Sequence, residues 1–137
     1  MKSVLLLVIL ITTSNIVFAS STDVSKIKIN ASIKNVAFFH IDSYLKQDKG
    51  AILKTVSPAK TKKFESLLAR ANLEDVFKVF KKKWKLEKPT IEYDKFTIKE
   101  MRVYDGKTSF MAYYNNISCG DEATAVLIDG KWFIEWW

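Results

Sequence analysis

His40 and Cys119 are the only histidine and the only cysteine in the chain, and an imidazole beside a thiol is the pairing that makes cysteine a nucleophile. The pair would require the segments around residues 40 and 119 to meet, with a third group orienting the ring. Taken separately, His40 reads as a helix-flank histidine near solvent and Cys119 as a small buried hydrophobe. A second chemistry needs a carboxylate as general base beside a tyrosine as donor. Asp42, Asp94 and Glu135 could supply the first if buried, and Tyr44, Tyr93, Tyr113 and Tyr114 the second. On a helical wheel His40 and Asp42 lie on opposite flanks, so they form no dyad with each other. No catalytic motif joins these residues, and none is assigned a catalytic role. One histidine and one cysteine leave too few ligands for a zinc or transition-metal site. The four glycines, Gly50, Gly106, Gly120 and Gly130, fall at element ends, turns or loops, which leaves none for a phosphate-cradling loop. Neither a metal nor a cofactor is expected.

Residues 1–19 read as a secretory signal peptide. Lys2 precedes an apolar run over residues 4–11, a polar stretch follows, and Val17 and Ala19 occupy the positions three and one before the cut. Cleavage after Ala19 would give an exported chain, with the bacterial periplasm as its expected location because the signal is short and carries one basic residue. The apolar run is shorter than the roughly 20 residues a membrane span needs, and nothing later approaches that length. Ser20 stands where a bacterial lipoprotein would need cysteine. Losing Lys2 lowers the formal net charge of +7 by one, and the remaining excess is nearly all lysine. Arg70 and Arg102 are the only arginines, so the bidentate phosphate grip of nucleic-acid recognition is poorly supplied. With one cysteine no intrachain disulfide can form, and stability must come from packing. Asn30-Ala31-Ser32 and Asn116-Ile117-Ser118 match the glycosylation sequon.

The elements that must position these groups follow from periodicity. Residues 20–31 form a polar leader. From Ser32, Ala37, Phe38, Ile41, Tyr44 and Leu45 share one face of an amphipathic helix, with Gly50 placed to stop it and residues 51–56 as a short helical or irregular link. Ser57-Pro58 signals a second helix, serine as N-cap and proline in the first turn, with Phe64, Leu67, Leu68 and Ala71 at helical spacing. Asn72 caps a third, with Glu74 and Asp75 in its first turn and Leu73, Val76, Phe77, Phe80 and Trp84 as its apolar stripe. Pro89 closes the helical half. Residues 91–104, 108–117, 122–128 and 131–137 read as strands, with Asp105-Gly106 and Asp129-Gly130 as two-residue hairpin turns. A shift of apolar phase near Lys99-Glu100 predicts a β-bulge. The fold class is therefore α+β: three N-terminal helices packed in the concave face of a curled, roughly four-stranded antiparallel sheet, all in one domain over residues 32–137.

That order resembles the nuclear-transport-factor-2-like superfamily, the cystatin-like α+β roll, and in particular its small exported members of unassigned role. The resemblance rests on Phe38-x6-Leu45-x2-Asp48-x3-Ile52-Leu53, on Tyr104-Asp105-Gly106-Lys107, and on Leu127-Ile128-Asp129-Gly130-Lys131-Trp132-Phe133-Ile134. It implies a conical pocket between helices and sheet, used by some members for isomerase or dehydratase chemistry. It also implies an outer sheet face that makes a dimer in many relatives. Strict alternation places Trp132, Ile134 and Trp136 on one face of the last strand and Phe133, Glu135 and Trp137 on the other. Phe38, Tyr44, Phe96, Tyr113, Trp132 and Trp136 are accordingly the expected pocket residues. Phe133 and Trp137 are the expected interface, covered by the leader, another strand or a second subunit. The leading reading is a non-catalytic binding protein for a small apolar or aromatic molecule or a protein partner. The alternatives are a pocket enzyme and an immunity- or inhibitor-type interaction protein steered by its lysines.

Overall fold

The computed structural model describes residues 21–137, so the signal peptide read over residues 1–19 lies outside the described residues. Helix α1 (Ile33–Leu45) starts at Ser32, whose Oγ accepts from the Asn35 N–H at 3.0 Å and so satisfies one of the donors a helix start leaves orphaned. It ends at Leu45, followed by Gln47 in the left-handed region at φ 55°. Gly50 therefore does not stop it. Gly50 lies inside a second helix, α2 (Lys49–Thr55), capped by Asp48, whose carboxylate accepts from the Ala51 N–H at 3.0 Å. The expected link is thus a helix, and the α-helices number four among the described residues. Ser57-Pro58 opens a 3-10 turn before α3 (Thr61–Arg70), but the Ser57 hydroxyl makes no cap bond. Helix α4 (Leu73–Trp84) is capped by Asn72 and stopped by Lys85 at φ 53°.

The sheet runs β1 (Phe96–Tyr104), β2 (Lys107–Tyr114), β3 (Ile117–Ile128) and β4 (Lys131–Trp136), antiparallel and in sequence order. β1 begins at Phe96 rather than residue 91; Ile91 is buried in the approach, and a 3-10 turn spans Tyr93–Lys95. The strands join through two-residue turns whose residues all have positive φ: Asp105-Gly106, Asn115-Asn116 and Asp129-Gly130. That is the geometry whose twist suits a tight hairpin, and asparagine tolerates it better than most residues. The middle turn was not expected: β2 stops at Tyr114, and the segment expected to loop over residues 118–121 belongs to β3. The sheet's inner face presents Phe96, Phe110, Ala112, Ala123, Ala125 and Ile134, all fully buried, in one core with Phe38 and Ile41 of α1 and Trp84 of α4. The leader is ordered against this core through Val24 and Ile29, and the Asn30 side chain donates to the Trp132 carbonyl at 2.7 Å.

The register breaks in all three strand pairs. One break follows Glu100, at the expected bulge. Another leaves Cys119, Gly120 and Asp121 opposite Ala112, because Met111 pairs with Glu122 while Tyr113 pairs with Ser118. The third decides the sides of the tryptophans. Ala125 pairs with Ile134 and the adjacent Thr124 with Trp136, so Glu135 is an inserted residue and the alternation reverses after it. The expectation from strict alternation is corrected on this point: Trp136 turns outward and is 47% exposed, while Trp137 turns inward against Phe110, ring centroids 5.3 Å apart.

Residues 56 and 57 hold the bulge in place. Val56 bridges Ile134 in parallel, the Ser57 N–H donates to the Ile134 carbonyl at 2.9 Å, and the Ser57 hydroxyl donates to Glu135 Oε2 at 2.8 Å. Lys107 and Lys60 approach Glu135 Oε1 at 3.1 and 3.9 Å. Burial pushes the Glu135 carboxyl up, but the Ser57 bond and the two ammoniums outweigh it and hold the group below the usual glutamate range. Glu135→Ala leaves Ser57 and the lysines without their acceptor, and is expected to lower stability by about 1–3 kcal/mol in urea unfolding. Glu135→Gln, which keeps a carbonyl for Ser57, should lose less.

Candidate functional site: an aromatic cavity with a neutral histidine

A cavity of about 250 Å³ opens between α1, α4, the irregular start of β3 and the C-terminal residue. His40, Ile41 and Tyr44 come from α1, Val76 and Phe80 from α4, Cys119 and Asp121 from β3, and Trp137 completes the wall. Each element delivers its residues for a local reason. Ile41 and Tyr44 follow the helical repeat of α1, Val76 and Phe80 are four apart on the apolar stripe of α4, and the Glu135 bulge supplies Trp137. Gly120, at φ +91°, allows the β3 irregularity beside them, and the Lys83 ammonium of α4 donates to the Cys119 carbonyl across it.

His40 is not near solvent as its flank position suggested. It is 2% exposed, because Trp137 stacks parallel on its ring at 5.6 Å and Phe64 and Tyr44 meet it edge-on at 6.0 and 5.0 Å. Burial drives its pKa down to about 3, so the ring is neutral at ordinary pH. The tautomer follows from the neighbouring hydrogen bonds. Thr55 Oγ1 donates its only proton to the Ile52 carbonyl at 2.6 Å, so at 2.7 Å from His40 Nδ1 it can only accept. Nδ1 therefore carries the hydrogen. Nε2 makes no hydrogen bond among the described residues and is left as the ring's acceptor on a residue that lines the cavity. Burial also raises the Tyr44 phenol, which keeps its proton.

The cavity brings His40 and Cys119 together but not as a nucleophile pair. The buried Cys119 thiol donates to the Asp121 carbonyl at 3.1 Å and lies 3.7 Å from Met111 Sδ, and no hydrogen bond joins it to His40. The three carboxylates singled out from sequence are elsewhere. Asp42 pairs with Lys46 at 2.7 Å, Asp94 accepts from Thr22, and Glu135 holds the bulge. Of the expected pocket residues, Tyr44 lines the cavity. Phe38 and Phe96 are core, packed edge-to-face at 5.7 Å. Tyr113 is half-buried on the opposite face from Tyr114, Trp132 packs against the core beside the leader, and Trp136 is outside. Of the expected interface, Phe133 is half-buried and Trp137 is in the cavity wall. His40, Ile41, Val76, Phe80, Cys119 and Asp121 line the cavity without having been expected there. The only available signal was that His40 precedes Tyr44 by four, one helical turn. Among the described residues no cluster of His, Cys, Asp or Glu is placed to hold a metal ion, and no helix is long and apolar enough to cross a membrane.

Comparison with family profiles, with curated proteins and with solved structures finds no match, so the reading of this cavity rests on its chemistry. That chemistry gives a pH prediction. A histidine whose folded pKa lies below its unfolded value of 6.5 takes up its proton mainly in the unfolded chain, so stability is full above pH 6.5 and declines as pH falls toward 3. Between pH 6.5 and 5 His40, the sole histidine, carries the slope. Unfolding free energy should fall by about 2 kcal/mol from pH 8 to pH 5, and the decline should vanish in His40→Phe. Urea midpoints at stepped pH measure both.

Proposed function

We propose that the protein binds a small, flat aromatic or apolar molecule bearing one hydrogen-bond donor, seated between α1, α4 and Trp137 with its donor on His40 Nε2. The observation that carries this reading is the neutral imidazole stacked on Trp137 at the cavity wall, its Nε2 lone pair unclaimed among the described residues. One acceptor in a largely apolar and aromatic lining fixes where a ligand donor sits. The faces of Trp137, Phe80 and Tyr44 bury the ligand's apolar body. The element order agrees with what the α+β roll resemblance implies, which supports a pocket between helices and sheet. The isomerase or dehydratase alternative has less support, since neither Asp42, Asp94 nor Glu135 lines the cavity and the carboxylate that does, Asp121, is exposed rather than buried. Export to a periplasm remains part of this proposal on the strength of Lys2, the apolar run and Ala19. Association through the outer sheet face has less support, because Trp137, one of the two residues expected there, turns inward.

Two one-ring probes of equal shape test the reading by calorimetry or NMR titration. Phenol, which can donate to Nε2, should bind about fivefold to tenfold tighter than toluene, the worth of one hydrogen bond. Thr55→Val removes the acceptor that fixes the tautomer, lets the proton move to Nε2, and should erase or invert the preference. Equal binding of phenol and toluene to the natural chain, or no binding of either, would overturn the proposal.

A further inference from the structure

A second concavity, of about 300 Å³, lies on the other side of the same bulge and contains a different chemistry. Three lysines gather there: Lys107 and Lys60 flank Glu135 at 3.1 and 3.9 Å, and Lys63 of α3 stands over the Trp136 ring at 4.5 Å. Glu135 offers one negative charge against three positive ones, so a net positive charge remains. Trp136 and Tyr104 stand beside them with 47% and 42% of their surfaces in solvent. Large aromatic side chains usually bury their faces, and these two are held outward by backbone geometry, Trp136 by the bulge and Tyr104 by its place next to the Asp105-Gly106 turn. An excess of ammoniums over carboxylates around exposed rings matches a ligand that combines an oxyanion with a flat ring face.

The geometry points to a second binding site here, for a small acidic ring compound: a carboxylate, sulfate or phosphate set among Lys60, Lys63 and Lys107, its ring lying on Trp136 and Tyr104. The volume suits one ring with its substituents. A uronic acid and an aryl phosphate share this chemistry. The site is independent of the aromatic cavity, which has no lysine in its lining and takes its ligand by an acceptor.

The test is an NMR titration following the separate indole N–H signals of the tryptophans. The probes are glucuronate and phenyl phosphate, each against its uncharged counterpart, glucose and phenol. The acidic probes should move the Trp136 signal, not that of Trp137, and bind at least fivefold tighter than their neutral counterparts at low salt, the preference shrinking as salt screens it. Whichever acid binds tighter identifies the ring class, sugar or aryl. Lys63 is exposed on α3, so Lys63→Gln should leave the unfolding midpoint unchanged while weakening the acids several-fold, and Lys63→Glu should weaken them further. Neutral probes moving Trp136 as strongly as the acids, acids moving no tryptophan signal, or affinities indifferent to Lys63→Glu in a folded protein would each overturn the site.

Discussion

One inserted residue organises the functional end of this molecule. Without Glu135 as a bulge, β4 would continue its alternation, Trp137 would leave the cavity wall and Trp136 would enter the core. The bulge is not a local preference of the strand. It is held by the segment between α2 and α3, which bridges Val56 to Ile134 and brings the Ser57 hydroxyl to the Glu135 carboxylate. Two lysines from different elements, Lys60 and Lys107, complete the setting. The helical half of the chain thereby determines which side of the sheet each C-terminal aromatic occupies.

The same segment ends at the histidine. Thr55, the last residue of α2, accepts from His40 Nδ1 while donating to Ile52, and two residues on Ser57 ties down the bulge that places Trp137 over the same imidazole. His40 is thus fixed in position, tautomer and charge by neighbours on α2, α3 and the C-terminus. Burying an ionisable ring so completely opposes stability at acid pH, and a leucine there would pack without that cost. A polar group in an apolar wall, with one nitrogen engaged and the other without a hydrogen bond among the described residues, is the feature on which the proposed binding role rests.

Much of the fold was legible from the sequence, and the failures have physical causes. Asn72 announced its helix because a side-chain cap is a local interaction, and Asp105-Gly106 and Asp129-Gly130 announced their hairpins because the turn needs left-handed residues. Asn115-Asn116 adopts the same geometry without glycine, which hid a third hairpin turn inside an expected strand. Ser57 carried a helix-start signal but spends its hydroxyl on a residue 78 positions away, a tertiary use that no window of sequence contains. For the same reason strict alternation misplaced Trp136 and Trp137. A helical wheel assigned His40 to a flank correctly, yet could not say that Trp137 and Phe64 would cover that flank. The cavity was therefore anticipated as a place between helices and sheet, while of its lining residues only Tyr44 was chosen in advance.

The most direct test of this arrangement is an isotope-edited nuclear Overhauser spectrum of the free protein, read at the four tryptophan rings. Cross-peaks from the Trp137 ring to the His40 imidazole and the Phe110 ring, with Trp136 showing contacts to Phe64 and the Lys63 side chain, are what the bulge at Glu135 requires. Cross-peaks from Trp136 to His40 or Phe110, with Trp137 free of both, would mean that β4 runs without the inserted residue, and neither proposed site would exist as described.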